Sequence, residues 1–175
     1  MTYYGRRAWG ARPAKGGPGR ADVDDVEGIV LHWPAITKKV RGVESVKRAL
    51  RGWQDYHMDD RGWSDIAYQE AIDQDGNVYG LRNLHTQPGA NGDTSANQRY
   101  GALLLILAPG EEPTPAMIRA VRRRVKRHRV IAPKARRIRG HSEVRPEPTS
   151  CPGPIVQRLI RAGTFDPSNP YRSPK

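Results

Sequence analysis

Val26-Glu27-Gly28-Ile29-Val30-Leu31-His32-Trp33 is a short run, mostly apolar and rich in β-branched residues, and Pro34 closes it. Its length and composition predict a β-strand at the centre of a sheet, ended where proline can no longer donate to the ladder. His32 then stands at the end of that strand. A histidine in an apolar strand is commonly a satisfied core residue, but strand ends are where sites are built, so His32 is carried forward as a ligand candidate.

Partners for it are offered by Gly140-His141-Ser142-Glu143-Val144-Arg145-Pro146-Glu147-Pro148-Thr149-Ser150-Cys151-Pro152-Gly153, which holds the only cysteine of the chain. Zinc favours neutral imidazole and thiolate, and a catalytic zinc takes three protein ligands and keeps a fourth position open. Ile155, Val156, Leu159 and Ile160 recur at helical spacing after Pro152 and Gly153. That predicts the sulfur at a helix N-terminus, where free N–H groups and the dipole favour a thiolate. The proline-rich segment must fold Cys151 back toward His141. The plain alternative is a small buried hydrophobe.

The chain has 175 residues, enough for one domain with a substantial core and no disulfide, which a single cysteine cannot form. Met1 to Trp9 holds no apolar run, and the longest apolar segment, Ala102–Ala108, is too short to span a bilayer. The expectation is a soluble monomer with no signal peptide and no membrane insertion. Thirty Lys plus Arg against 18 Asp plus Glu give a net charge of +12. Such a surplus favours polyanionic partners, among them anionic wall polymers. Nucleic acid is not expected, because aromatic–basic RNA signatures and zinc-finger spacing are both missing.

Arg6 to Pro13 opens the chain, and Lys15–Gly19 reads as a loop. From Glu44 to Met58, Val46, Leu50, Trp53 and His57 trace an amphipathic helix interrupted by Gly52 and ended by Asp59-Asp60-Arg61-Gly62. Ile66–Ile72 alternates as a strand, with Tyr68 and Gln69 on opposite faces. Asp75-Gly76 before Val78 predicts a two-residue hairpin turn. Leu84–Asn97 is polar and aperiodic, hence a loop, whereas Tyr100–Leu107 predicts a buried central strand. Thr114-Pro115 starts a helix whose stripe is Met117, Ile118, Val121 and Val125, with a basic run from Arg122 to Arg129 on its remaining faces. That run reads either as a solvated face or as a wall-binding one. The result is an α/β domain over residues 1–165, with a central mixed β-sheet flanked by helices, and a tail or linker stub over 166–175.

Several of these stretches, taken together and in order, resemble one family. They are Arg7-Ala-Trp-Gly-Ala-Arg-Pro13, Ile29-Val-Leu-His32, Tyr56-His57-Met58, Arg61-Gly-Trp-Ser-Asp-Ile-Ala-Tyr68, Ile72-Asp-Gln-Asp-Gly-Asn-Val-Tyr79, Asn97-Gln-Arg-Tyr-Gly101, Glu112-Pro-Thr-Pro115, Gly140-His141 and Thr149-Ser-Cys-Pro-Gly153. The chain is similar to the zinc-dependent N-acetylmuramoyl-L-alanine amidases that share their fold with peptidoglycan recognition proteins and phage lysozyme-type amidases. The resemblance implies Zn2+ held by His32, His141 and Cys151, with Tyr68 and Thr149 as catalytic residues. It further implies that Trp33, His57, Trp63, Arg82 and Asn91 line the substrate site, that the bond cut joins muramic acid to L-alanine, and that the partner is peptidoglycan. A phage endolysin, kept in the host cytoplasm until release, is the expected setting; a binding module without catalysis is the alternative. Three departures concern the substrate loop and the general base. Gln69 stands where His or Asn is usual, Asn91 where a histidine is expected, and Leu103 near the position at which recycling relatives carry glutamate.

Overall fold

β2 (Gly28–His32) and β5 (Tyr100–Leu105) pair in parallel with Leu31 beside Leu103, and every residue of both strands is buried. This explains their unbroken apolar character, since a strand covered on both faces has no solvent side to alternate with. The computed structural model describes all residues except 18, 35 and 172–175. Around the two strands lie β1 (Tyr3–Tyr4), β3 (Glu70–Ile72), β4 (Val78–Gly80) and β6 (Arg137–Gly140), in the order β1-β4-β3-β5-β2-β6. Only β3 and β4 run antiparallel, so the sheet is mixed as expected.

Each face of the sheet carries its own core. On one, Ile29, Leu31, Ile72, Leu103 and Leu105 meet Met117, Val121 and Val125 of α4 (Pro115–Ile131) and Val156 of α5 (Pro154–Arg161). On the other, Ala71, Tyr79 and Leu104 meet Val46 and Leu50 of α2 (Val43–Asp55) and Trp9 of the short α1 (Arg6–Trp9). α4 begins where the sequence says it should: Thr114 Oγ1 accepts from Met117 N at 3.1 Å, a cap that contributes on the order of 1 kcal/mol, and Pro115 takes a position needing no N–H. α2 runs on as a wider turn over Tyr56–Asp60, where Arg61 N reaches Tyr56 O at 3.0 Å, the i to i+5 pattern that often marks functional sites.

Four expectations need correction. The hairpin loop holds three residues, Gln74 to Gly76, because Asp73 and Asn77 still pair; Gly76 (φ 76°) supplies the left-handed residue that a three-residue loop requires. Regular pairing in the third strand begins only at Glu70, since Tyr68 O and Gln69 O accept in succession from Arg82 N and Leu81 N, a bulge-like irregularity. Tyr68 packs on the α2 side, whereas Glu70 meets Arg124 of α4 and Gln69 accepts from Ala102 N on that same side. The loop expected over 84–97 contains the start of α3 (Thr94–Arg99), capped by Asp93 Oδ1 accepting from Ala96 N at 2.7 Å.

The basic run of α4 is not one uniform solvated face. Arg122 donates to the carbonyls of Thr164, Asp166 and Asn169, Arg124 grips Glu70 through two bonds, and Arg129 pairs with Asp166. The stretch 166–175, read as a tail or linker stub, thus lies against α4 as far as Tyr171, whose ring sits 5.3 Å below the Arg122 guanidinium; residues 172–175 lie outside the described residues.

His128, also on α4, is 4 % exposed, and its Nε2 has no hydrogen-bond partner among the described residues. Burial first, then Arg124 and Arg127, push its pKa down to about 3. The imidazole is therefore neutral in the fold and takes a proton in the unfolded chain below about pH 6.5, so stability falls as pH drops from there toward 3, by up to about 1.4 kcal/mol per pH unit. In thermal melts of metal-free protein between pH 7 and 4, His128→Leu should flatten this acid loss; an unchanged slope would exclude His128 as its source.

Candidate metal centre

β2 delivers His32 at its C-terminal end, β6 leads through Gly140 into His141, and the turn before α5 brings Cys151 between them. The potential ligand atoms of the three residues all lie within 4.8 Å of one another. Cys151 Sγ is 3.7 Å from His32 Nδ1, and the two imidazole rings are 4.6 Å apart. Ser142 N donates to Cys151 O at 2.9 Å, so the proline-rich segment folds back as its sequence requires.

Asn91 decides which nitrogen of His32 is free. It is fully buried, and its amide NH2 donates to Ala96 O (3.3 Å) and Tyr100 O (2.9 Å). Its Oδ1 must then face His32 Nε2, 2.9 Å away, and since an amide oxygen only accepts, Nε2 carries the proton. Nδ1 is left with a lone pair directed at the sulfur, the arrangement in which a neighbour orients a metal-ligating histidine. Burial, reinforced by His141, pushes the His32 pKa down to about 3, and burial with Arg145 takes His141 to about 4, so both rings are neutral donors. His141 Nε2 is buried without a hydrogen-bond partner among the described residues. Two neutral imidazoles, one of them with an otherwise orphaned ring nitrogen, and one thiol form a three-donor set that suits zinc and leaves room for a fourth ligand. Asn91 was expected to touch substrate; its burial and its four hydrogen bonds, including that of its backbone N–H to Asn97 Oδ1, fit a positioning residue instead. Asn91→Ala should lower metal affinity by about 10- to 100-fold in competition titrations against a chelator. Unaltered affinity would reduce Asn91 to packing.

Cys151 differs from expectation in one respect. α5 begins at Pro154 with Gly153 as its cap, so the sulfur precedes the helix by three residues. Burial pushes the thiol up to about 11, opposed by the N–H of Trp33, which donates to Sγ at 3.4 Å. A thiolate here depends on a bound cation rather than on the helix. Thr149 Oγ1 accepts from Cys151 N at 3.2 Å, leaving its own proton free to donate. The Trp33 ring packs on Gly153, where a Cβ would meet it at 2.9 Å.

A line of rings leads outward from the centre: His32 to Tyr68 (5.3 Å), Tyr68 to His57 (6.0 Å), and His57 stacked on Trp63 (4.9 Å). Burial and Cys151 raise the Tyr68 pKa well above the usual phenol value, so at neutral pH it is an O–H donor. His57 Nδ1 accepts from Ala67 N at 3.3 Å, which leaves Nε2–H as the donor. Its pKa is pushed down to about 4 by burial and by Arg82 and Arg61.

Compared with known proteins, residues 22–154 match the family described as N-acetylmuramoyl-L-alanine amidase. The chain belongs to this family. Among curated relatives, the N-acetylmuramoyl-L-alanine amidase of Sus scrofa is 27% identical over 159 residues, covering 89% of this chain and 26% of that protein. Peptidoglycan-recognition protein LB of Drosophila melanogaster is 27% identical over 154 residues, 85% of this chain and 62% of the relative. The chain thus spans about a quarter of the first and under two thirds of the second. The fold matches that of Drosophila PGRP-LB with a TM-score of 0.80 at 23% identity, covering 94% and 95% of the two chains. It likewise matches peptidoglycan recognition protein-LE in complex with tracheal cytotoxin, with a TM-score of 0.82 at 22% identity and the same coverage.

Within this amidase-family fold the remaining expected site residues separate. Trp33, His57 and Trp63 stay at the centre or along its ring line. Arg82 does not join them: it is 7% exposed, and Nε, Nη1 and Nη2 donate to the carbonyls of Ile66, Gln87 and Asp65, so it clamps backbone. Gln69 turns away from Tyr68 and binds Leu84 O, Thr86 O and Ala102 N, pinning the loop that carries Asn91. Leu103 is fully buried in the core. The tautomer lock by Asn91 escaped sequence reasoning, although an asparagine in a polar loop could have been tested as a histidine partner.

Proposed function

We propose that this amidase-family chain hydrolyses the amide bond between the lactyl group of N-acetylmuramic acid and L-alanine in peptidoglycan, with zinc held by His32, His141 and Cys151. The observation that carries this reading is the convergence of those three donors with a tautomer already set for coordination and a phenol beside them. When bound there, zinc supplies a Lewis acid and lowers the pKa of its water to about 7. The chain's own residues do the rest. Asn91 holds His32 in register. Tyr68 donates its O–H to the carbonyl oxygen as charge develops on it, and Thr149, neutral and therefore weaker, assists. His57, Trp63 and Trp33 offer an N–H donor and flat faces for the sugar and stem peptide. Peptidoglycan-recognition protein LB and the complex of peptidoglycan recognition protein-LE with a peptidoglycan monomer support this ligand class. Action in phage-driven lysis, after storage in the host cytoplasm, extends the proposal from the resemblance to phage amidases.

The second reading, recognition without cleavage, is favoured by relatives named for recognition alone. Digestion of purified peptidoglycan, with metal analysis and mass spectrometry of the fragments, separates the two. Free stem peptides beginning at L-alanine, with about one zinc per chain, establish the hydrolase. Wall binding with no released peptide establishes the binder.

A further inference from the structure

A cavity of about 380 Å3 lies away from the metal centre, between the β1–β4–β3 edge of the sheet and α4, and shares no residue with that centre. Its lining includes Tyr3, Glu70, Asn83, His85, Arg124 and Arg127. Glu70 is 2% exposed, and both of its oxygens are taken by Nε and Nη2 of Arg124. A buried ion pair is expensive to desolvate and is often replaced by apolar side chains without loss, so its place in a cavity wall needs a reason. Nη1 of Arg124 has no hydrogen-bond partner among the described residues. Arg127, one helical turn further on, is exposed and has no ion-pair partner among them. Three guanidinium groups line the cavity against one carboxylate, the third being that of Arg82, whose N–H groups are held by backbone carbonyls, so the cavity is positive. The Arg124 guanidinium also lies 5.7 Å over the ring of Tyr3, itself 57% exposed. Asn83 and His85 add polar groups at the rim.

We infer that this cavity is a second binding site, for a phosphorylated polyol or sugar unit. Arginine N–H groups suit phosphate oxygens, the Tyr3 ring suits a polyol or pyranose face, and a space of a few hundred Å3 suits one such unit. Phosphate binding itself does not depend on the amidase reading; only the source does, because a chain that works on cell wall meets polyol phosphate as polymer.

The test is calorimetric titration of the whole chain with glycerol 3-phosphate, glycerol and poly(glycerol phosphate), alongside NMR of the His85 and Tyr3 ring signals. Glycerol 3-phosphate should bind, shift both rings and weaken with salt, while glycerol should not bind. Arg127→Glu, on an exposed helix face, should weaken binding at least about tenfold, with Arg127→Gln intermediate. Tighter binding of the polymer assigns the site to a wall polymer, and equal binding assigns it to a free phosphate ester. Glycerol binding as well as its phosphate, or Arg127→Glu binding as the parent does, overturns the inference. Both variants should release stem peptide from soluble muropeptides at the parental rate. Absence of that activity in the parent, with phosphate binding intact, would count against the amidase reading alone.

Discussion

Cys151→Ser should lose most bound zinc and cut peptidoglycan hydrolysis on the order of a thousandfold or more. The serine oxygen would sit near His32 Nδ1 and the N–H of Trp33, where the sulfur now lies 3.7 and 3.4 Å away. A hydroxyl does not give up its proton as a thiol does, so one of three donors loses its charge. Several kcal/mol of metal-derived stabilisation then disappears, and each 1.36 kcal/mol is a factor of ten in rate. The variant should also melt earlier than the zinc-loaded parent and close to the chelated parent, because the three donors come from separate segments that a bound metal would tie together. Metal analysis checks the first statement and paired melts the second. Full zinc occupancy in Cys151→Ser would sink the ligand assignment.

Tyr68→Phe should reduce turnover about a hundredfold while leaving zinc content and wall affinity nearly unchanged. The ring contacts with His32 and His57 and the packing on the α2 side survive the change, so only the hydroxyl is deleted. Burial and the neighbouring sulfur keep that hydroxyl protonated, which makes it an O–H donor on a ring packed beside His32. Loss of one such donor costs about 10²- to 10³-fold in comparable sites. Release of stem peptides by Tyr68→Phe at the parental rate would remove the residue from the mechanism.

These two residues also show how far a sequence can be read. Cys151, His141 and His32 are legible because metal chemistry narrows the choice to few side chains, and β2 and β5 because full burial leaves a run of apolar residues. α4 is legible from Thr114 and Pro115, whose signals are local. What escapes is set by contacts between distant segments. The bulge-like backbone at Tyr68 and Gln69 depends on the N–H groups of Leu81 and Arg82, just past β4. Arg82 and Arg124 look alike in a basic chain, yet one binds three carbonyls and the other a buried carboxylate. α3 is short, begins in a polar Gly-rich stretch and has a single buried residue, Ala96, so no periodicity announces it.

The outer strands of the sheet have a further consequence for the molecule in a crowded solution. On one side the sheet ends in β1, only two residues long; on the other it ends in β6, where Arg137 and Arg139 flank Ile138. A short rim offers too few free backbone groups to template another strand, and a rim of charged side chains, with Arg137 paired to Glu27 and Arg139 to Glu143, is costly to desolvate against an identical copy. Neither margin invites sheet-to-sheet growth, so the fold can reach high local concentration without polymerising through its ladder. Exchanging Arg137 and Arg139 for valine would convert that protected rim into an adhesive one.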